Sequence, residues 1–131
     1  MIFLLAARVA PADEKVPAPH PPTEQSRIVT LSEGLALPAV GRQGRTPIHQ
    51  DALAAEMVAG TWTRPKVGAV IKLPGGETRK WQTIKADKGG NFSGSALGGG
   101  YVYFAVPSAQ AQVMILEAAG HSTVYVNGEP H

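Results

Sequence analysis

The sequence predicts a mainly β protein, an antiparallel sandwich or barrel preceded by one short helix and a disordered leader. Three observations predict this fold. Short runs of alternating apolar residues follow Thr61 and are separated by glycine-rich turns. Five prolines lie within residues 11–24. The 44% of hydrophobic residues suffices for a modest core, and 131 residues suffice for one domain.

The leader is predicted to cover residues 1–25. Residues 2–7 are apolar, but six residues are too few for a membrane span and no basic region precedes them. Since ARVA before Pro11 is similar to a small-residue cleavage site, the segment is either a signal-peptide remnant or an unpacked apolar N-terminus. The first interpretation implies an exported protein, periplasmic or extracellular. The prolines predict an extended linker over residues 11–24.

Residues 26–60 are predicted to form an arm and a helix. A strand-like arm covers residues 27–31, and a loop follows it. Thr46 suits the helix cap, Pro47 the first helical position and Gly60 the stop. Because the helix is short, we expect it to dock on another part of the protein.

The β module is predicted for residues 61–131. Its first strand ends at a Pro-Gly-Gly turn, and its third strand alternates between a Val/Phe/Val face and a tyrosine face. The run VMIL follows and is dense enough in apolar residues for a strand covered on both faces. The predicted strands lie within residues 66–73, 77–87, 98–108, 111–120 and 122–128.

Asn127 and Gly128 are a strong two-residue hairpin signal, because both tolerate positive φ. A hairpin needs a returning strand, and Glu129, Pro130 and His131 are not expected to supply one. A sandwich without its closing strands has an unpaired edge and an uncovered core. We therefore expect the sequence to be truncated and the sandwich to be incomplete.

The phrase VMILEAAGHSTVYVNGEPH at residues 113–131 resembles the strand-turn-strand of galactose-binding-like jelly-roll domains. More widely, residues 45–131 resemble the N-terminal accessory region of large secreted bacterial hydrolases of the prolyl-oligopeptidase-like α/β-hydrolase kind. The resemblance implies a jelly-roll-like module that precedes a catalytic domain, and this sequence departs from it by having no catalytic domain. The matching phrases are RxPxxxDxL at 45–53, GxWxxP at 60–65, WxxIxAD at 81–87 and GGYVY at 99–103.

On this resemblance, the chain is expected to be a non-catalytic accessory module whose partner is the downstream catalytic domain of the same parent chain. The alternative is a carbohydrate-binding module that holds a polysaccharide substrate, since flat aromatic rings stack on sugar rings. For the two tryptophans, core or interdomain packing competes with this role. The tyrosines lie opposite the Val/Phe/Val face and are expected to point outward, with interdomain contact or plain surface exposure as the alternatives to ligand binding. The candidate ligand-binding residues are Trp62, Trp81, Tyr101, Tyr103, Tyr125 and Asn127.

No catalytic, metal or cofactor site is predicted. Ser95 lies near glycines but does not match the G-x-S-x-G elbow, which argues against a small enzyme. There are no cysteines, and no pair among the four histidines has zinc-site spacing. Asp87 and Asn91 have calcium-compatible oxygens. However, calcium needs six to eight oxygen ligands, and an Asp that bonds its own turn is the simpler interpretation.

The charge is unevenly distributed. Residues 64–88 contain seven basic and two acidic residues, although the net charge of the chain is only +2. Aromatic residues do not alternate with these basic residues as in nucleic-acid binders, so no nucleic-acid partner is expected. The basic region is interpreted as a solvated surface, with an anionic partner as the alternative.

Overall fold

The computed structural model describes residues 2–8, 28–41, 51–109 and 113–130, except for the side chains of residues 5–8. Within these ranges the protein is mainly β, with a six-stranded sheet, a two-stranded hairpin and one α-helix. The elements are β1 (Ile2–Arg8), β2 (Glu33–Leu37), α1 (Ala52–Val58), β3 (Val70–Lys72), β4 (Thr78–Lys80), β5 (Gln82–Lys85), a 3-10 helix (Ser95–Leu97), β6 (Tyr101–Pro107), β7 (Thr123–Val126) and β8 (Glu129–Pro130).

The large sheet is mixed, with strand order β5-β2-β6-β1-β7-β8. β1 runs parallel to both of its neighbours, whereas every other pairing is antiparallel. β3 and β4 form the separate antiparallel hairpin. The mainly β prediction is confirmed, but an antiparallel jelly-roll sandwich is not.

The N-terminal segment Ile2–Arg8 is a central strand, so the prediction of a disordered leader is wrong for these residues. β1 pairs with β6 along its whole length and with β7 along its first half. Phe3 and Leu4 are buried on opposite faces of the sheet. An apolar run too short for a membrane span is long enough for a strand with a neighbour on each side. The rest of the leader lies outside the described residues.

Both faces of the sheet are covered. On the first face, Tyr101 and Tyr103 pack with Leu53 and Met57 of α1. On the second face, Phe104 packs with Phe3 and with residues of the segments that precede β2 and that precede and follow β6. The expectation that the tyrosines point outward is therefore wrong, because α1 and the β3–β4 hairpin cover the face on which they lie.

α1 begins later than predicted. Asp51 has extended backbone angles, and its Oδ1 accepts hydrogen bonds from the backbone N–H groups of Leu53 and Ala54. Asp51, not Thr46, is therefore the N-cap; Thr46 lies outside the described residues. The stop at Gly60 is confirmed, since this residue has φ 67° just after the helix.

The predicted strand at residues 77–87 is divided between two sheets. β4 belongs to the hairpin and β5 to the edge of the large sheet, with Trp81 between them. The Trp81 N–H donates to the carbonyl of Ala69, and the Trp81 carbonyl accepts from the N–H of Gly68. Trp81 is buried where the chain crosses from one sheet to the other.

β2 lies where the sequence predicts a loop, and the predicted arm at 27–31 is not a strand over its described residues, 28–31. Glycine is usually unfavourable inside a strand, but β2 requires a residue without a side chain at Gly34. A Cβ at this position would lie 2.7 Å from the ring of Phe104 and 2.7 Å from the carbonyl oxygen of Tyr103. Gly34 therefore permits close packing of β2 on β6.

The predicted strand at 111–120 is wrong for its described residues, 113–120, which form an irregular segment. The Asn127-Gly128 turn is confirmed, with φ of 54° and 92°. It closes on β8, so Glu129 and Pro130 do supply a short returning strand. No helix in the described part of the chain is long and apolar enough to cross a membrane.

Candidate functional site

A cleft of about 370 Å³ lies between α1, the loop that follows it and the β3–β4 hairpin. Its volume falls within the range of small-ligand sites, about 300–1,000 Å³. Both tryptophans contribute to its wall, and charged side chains contribute to its rim. The principal lining residues are Leu53, Glu56, Trp62, Arg64, Lys66, Val70, Ile71 and Trp81.

The C-terminal turn of α1 places Trp62 in this cleft. The Thr61 N–H donates to the carbonyl of Glu56, and the Gly60 N–H donates to the carbonyl of Met57. These two bonds form a Schellman motif, which requires the positive φ of Gly60. The Trp62 N–H also donates to the Glu56 carbonyl, at 3.1 Å. The backbone of Trp62 is thus held against the end of the helix.

The Trp62 ring is half-buried against the first face of the sheet. Its centroid lies 6.2 Å from that of Tyr103, with the ring planes tilted by 52°. The Asn127-Gly128 turn lies against the same ring, since a Cβ at Gly128 would be 3.5 Å from Cε3. The indole Nε1 is buried and has no hydrogen-bond partner within the described residues. Such an unpaired donor costs about 1–3 kcal/mol.

The charges of the cleft have both signs. Burial raises the pKa of the Glu56 carboxyl above its usual value, because desolvation disfavours the ionised form. Arg64 and Lys66 are exposed at the rim. Neither has an ion-pair partner in the described ranges. The cleft therefore offers a partly desolvated hydrogen-bond acceptor beside two cations.

A second cluster joins Asp51, Tyr101 and Tyr125 below the start of α1. Burial, with a smaller contribution from the Asp51 carboxylate, raises the pKa of both tyrosines. The Tyr101 Oη is buried and makes no well-formed hydrogen bond within the described part of the chain. Both phenols therefore stay protonated at neutral pH.

The predicted ligand residues converge on one side of the sheet, but most are buried. Trp81, Tyr101 and Tyr103 belong to the core cluster, and Tyr125 packs against it at partial exposure. For Trp81, core packing was the competing interpretation, and its ring is only 2% exposed. Asn127 is exposed in the turn beside the Trp62 ring.

The remaining polar candidates have structural contacts. Ser95 is exposed in the 3-10 helix. The His121 ring contacts Phe3 edge-on, with centroids 5.4 Å apart. Asp87 Oδ1 accepts from the N–H groups of Gly89 and Asn91, as the turn interpretation predicts. These bonds lower the pKa of Asp87. No group of three or more potential metal-binding side chains occurs among the described residues.

Sequence reasoning did not assign Glu56, Arg64 or Lys66 to a site. The signal for the two cations was the basic bias of residues 64–88. The position of Glu56 beside them depends on the helix end, which the sequence placed correctly at Gly60. Comparisons with family models, curated proteins and solved structures find no match. The geometry of this chain is therefore the basis for inferring its function.

Proposed function

We propose that this chain is a non-catalytic accessory module of a larger exported hydrolase-like protein, in which it orients or shields a catalytic domain. In this proposal the large sheet and the β3–β4 hairpin are parts of a jelly-roll-like sandwich. The observation that carries the proposal is an exposed apolar surface at residues 113–115. Val113 is 98% exposed, Ile115 is 95% exposed and Met114 lies between them at 40%.

Three consecutive large apolar side chains in water suggest a covered surface in the complete protein. Single exposed apolar residues are ordinary, whereas a contiguous group commonly marks an interaction site. Ala118, just after this surface, packs against the second face of the sheet, so the segment is attached to the core at its C-terminal end. The resemblance of residues 45–131 to the N-terminal region of secreted hydrolases supports a downstream domain of the same parent chain as the occupant.

Hydrogen exchange tests this proposal. The amides of residues 113–115 are measured in the 131-residue chain and in the chain with its natural downstream sequence. Protection in the longer protein, with fast exchange in the shorter one, is expected. Equally fast exchange in both proteins would contradict the proposal. Hydrolysis of ester, peptide or glycoside substrates by the 131-residue chain that is lost in Ser95→Ala would also contradict the non-catalytic role.

A second candidate function is carbohydrate binding in the cleft. The observation that favours it is the half-buried Trp62 ring beside the Glu56 carboxyl, which together offer an apolar stacking surface and a hydroxyl acceptor. Glu56→Gln retains the size of the side chain and lies outside the core, so it tests the cleft without removing packing. Oligosaccharide titration followed by tryptophan fluorescence should show weaker binding to this variant. A wild-type chain that binds no oligosaccharide would contradict this function.

A further inference from the structure

Two cations lie on the cleft and two more lie on the adjoining hairpin, and none of the four has an ion-pair partner in the part of the chain that the structure describes. Arg64 and Lys66 lie on the cleft, and Val70 lies on the same wall. Val70 is directly opposite Lys80 in the β3–β4 pairing, so Lys80 shares a face of the hairpin with this cleft residue. Lys72 lies two residues beyond Val70, on the same face of the hairpin. We call Arg64, Lys66, Lys72 and Lys80 the basic surface.

The basic surface differs from other cations of residues 64–88. Arg79 pairs with Glu77 at 3.0 Å, and Lys85 pairs with Glu33 at 3.4 Å. No carboxylate within the described ranges pairs with a member of the basic surface. Lys72 and Lys80 are diagonal neighbours across the hairpin, a relation that typically separates two residues by about 7–8 Å. Their positive potentials therefore add over one exposed face.

We infer that the cleft and the basic surface together bind an acidic polysaccharide, a hydroxyl-rich polymer that carries carboxylate groups. This inference rests on the carbohydrate-binding function of the cleft. Trp62 provides a stacking surface for a sugar ring, and Glu56 accepts hydrogen bonds from hydroxyl groups. The basic surface attracts carboxylates of the neighbouring sugar units along the hairpin.

The same features disfavour a nucleic acid. The outer face of the hairpin carries Val70, Lys72, Thr78 and Lys80 and no aromatic ring on which a base would stack. A polymer with abundant hydroxyls and with carboxylates on its sugar units fits both the cleft and the hairpin.

The test compares de-esterified polygalacturonate with its fully methyl-esterified form, and uses alginate as a second acidic polymer. The esterified polymer retains the sugar rings and hydroxyls but has no charge. Titration calorimetry with the 131-residue chain should show tighter binding of the acidic polymers, weakened by salt. The double variant Lys72→Gln/Lys80→Gln should bind them about five- to tenfold more weakly. The double variant Lys85→Gln/Lys88→Gln, which also removes two positive charges but from exposed positions that do not line the cleft, should bind as the wild type does.

The outcomes separate this inference from the function on which it rests. Equal binding of the acidic and esterified polymers would retain carbohydrate binding and overturn the acidic preference. Binding of none of the polymers would overturn both. Single-stranded DNA that binds as tightly as polygalacturonate would overturn the polysaccharide as the ligand. An unchanged affinity of the double variant would overturn the role of the hairpin.

Discussion

The strand Tyr101–Pro107 and the segment at residues 113–119 have similar apolar content, yet their environments are opposite. β6 lies between β2 and β1 and is covered on both faces. The second segment is irregular, and its apolar residues Val113 and Ile115 face solvent. Both were predicted to be strands. The difference shows that an apolar run becomes a strand only where neighbouring strands complete its hydrogen bonds.

The position beside β6 is occupied by β1, another apolar run. β1 has both β6 and β7 as neighbours, so it completes the backbone hydrogen bonds of two strands at once. Over Tyr101–Tyr103 both edges of β6 are paired, one with β1 and the other with β2, so that part of the strand has no free edge for residues 113–119. β6 and residues 113–119 therefore differ in burial and in strand pairing. Substitutions in each segment measure how much its side chains contribute to the free energy of unfolding.

The largest expected effect is that of Phe104→Ala in β6. The Phe104 ring lies 5.6 Å from that of Phe3 and 5.2 Å from that of Phe92. Its removal leaves a cavity in the second face and should lower the free energy of unfolding by about 3–5 kcal/mol. Urea denaturation measures this change. A loss below about 1 kcal/mol would show that β6 is not the centre of the core.

A matched pair of valines gives the sharpest form of the comparison. Val102 is 1% exposed and Val113 is 98% exposed. Val102→Ala should lower the free energy of unfolding by about 2 kcal/mol, because it removes two buried methyl groups and leaves a small cavity. Val113→Ala should change it by no more than about 0.5 kcal/mol. Equal losses in the two variants would mean that residues 113–115 are buried in solution.

α1 covers one face of β6, so losing the N-cap of α1 should also lower the free energy of unfolding. The expected loss is smaller than that from the core substitutions. Asp51→Ala removes the acceptor for the N–H groups of Leu53 and Ala54 and should cost about 1 kcal/mol. Asp51→Asn retains an acceptor oxygen and should recover most of this loss. Thermal melts of the two variants provide the measurement. A melt of Asp51→Ala identical to the wild type would contradict the assignment of the cap.

The turn at Asp87 is another irregular segment, but hydrogen bonds within the turn order it. Changing Asp87 is expected to have the smallest effect on stability of the substitutions considered. Backbone N–H bonds from Asn91 and Gly89 lower the pKa of Asp87 below its ordinary value of 3.8. The folded state therefore favours the ionised form. This contribution to stability is present above pH 3.8 and is lost as the pH falls through the lower folded pKa.

A carboxyl NMR titration of Asp87 should give a midpoint below 3.8. Asp87→Asn, which cannot ionise, should lose this part of the acid dependence of unfolding. A midpoint at or above the ordinary value would show that the turn bonds do not form in solution.

The candidate site was only partly predictable from the sequence, because its exposure depends on segments that are distant along the chain. The five aromatic candidates gather on the first face. Which of them face the cleft depends on the helix and hairpin that cover the tyrosines. Trp62 lines the cleft at partial exposure because the Schellman turn places it at the end of α1, whereas Trp81 is buried where two sheets meet.

The sequence by itself determined the local features: the mainly β class, the Asn127-Gly128 turn, the end of α1 at Gly60 and the strands of β6 and β7. Each depends on backbone preferences or on alternation within a few residues. Only the tertiary structure decided the pairing of β1 between β6 and β7, the strand at Gly34 and the irregular course of residues 113–119. These depend on which distant segment supplies hydrogen-bond partners and cover, and the local pattern does not contain that information.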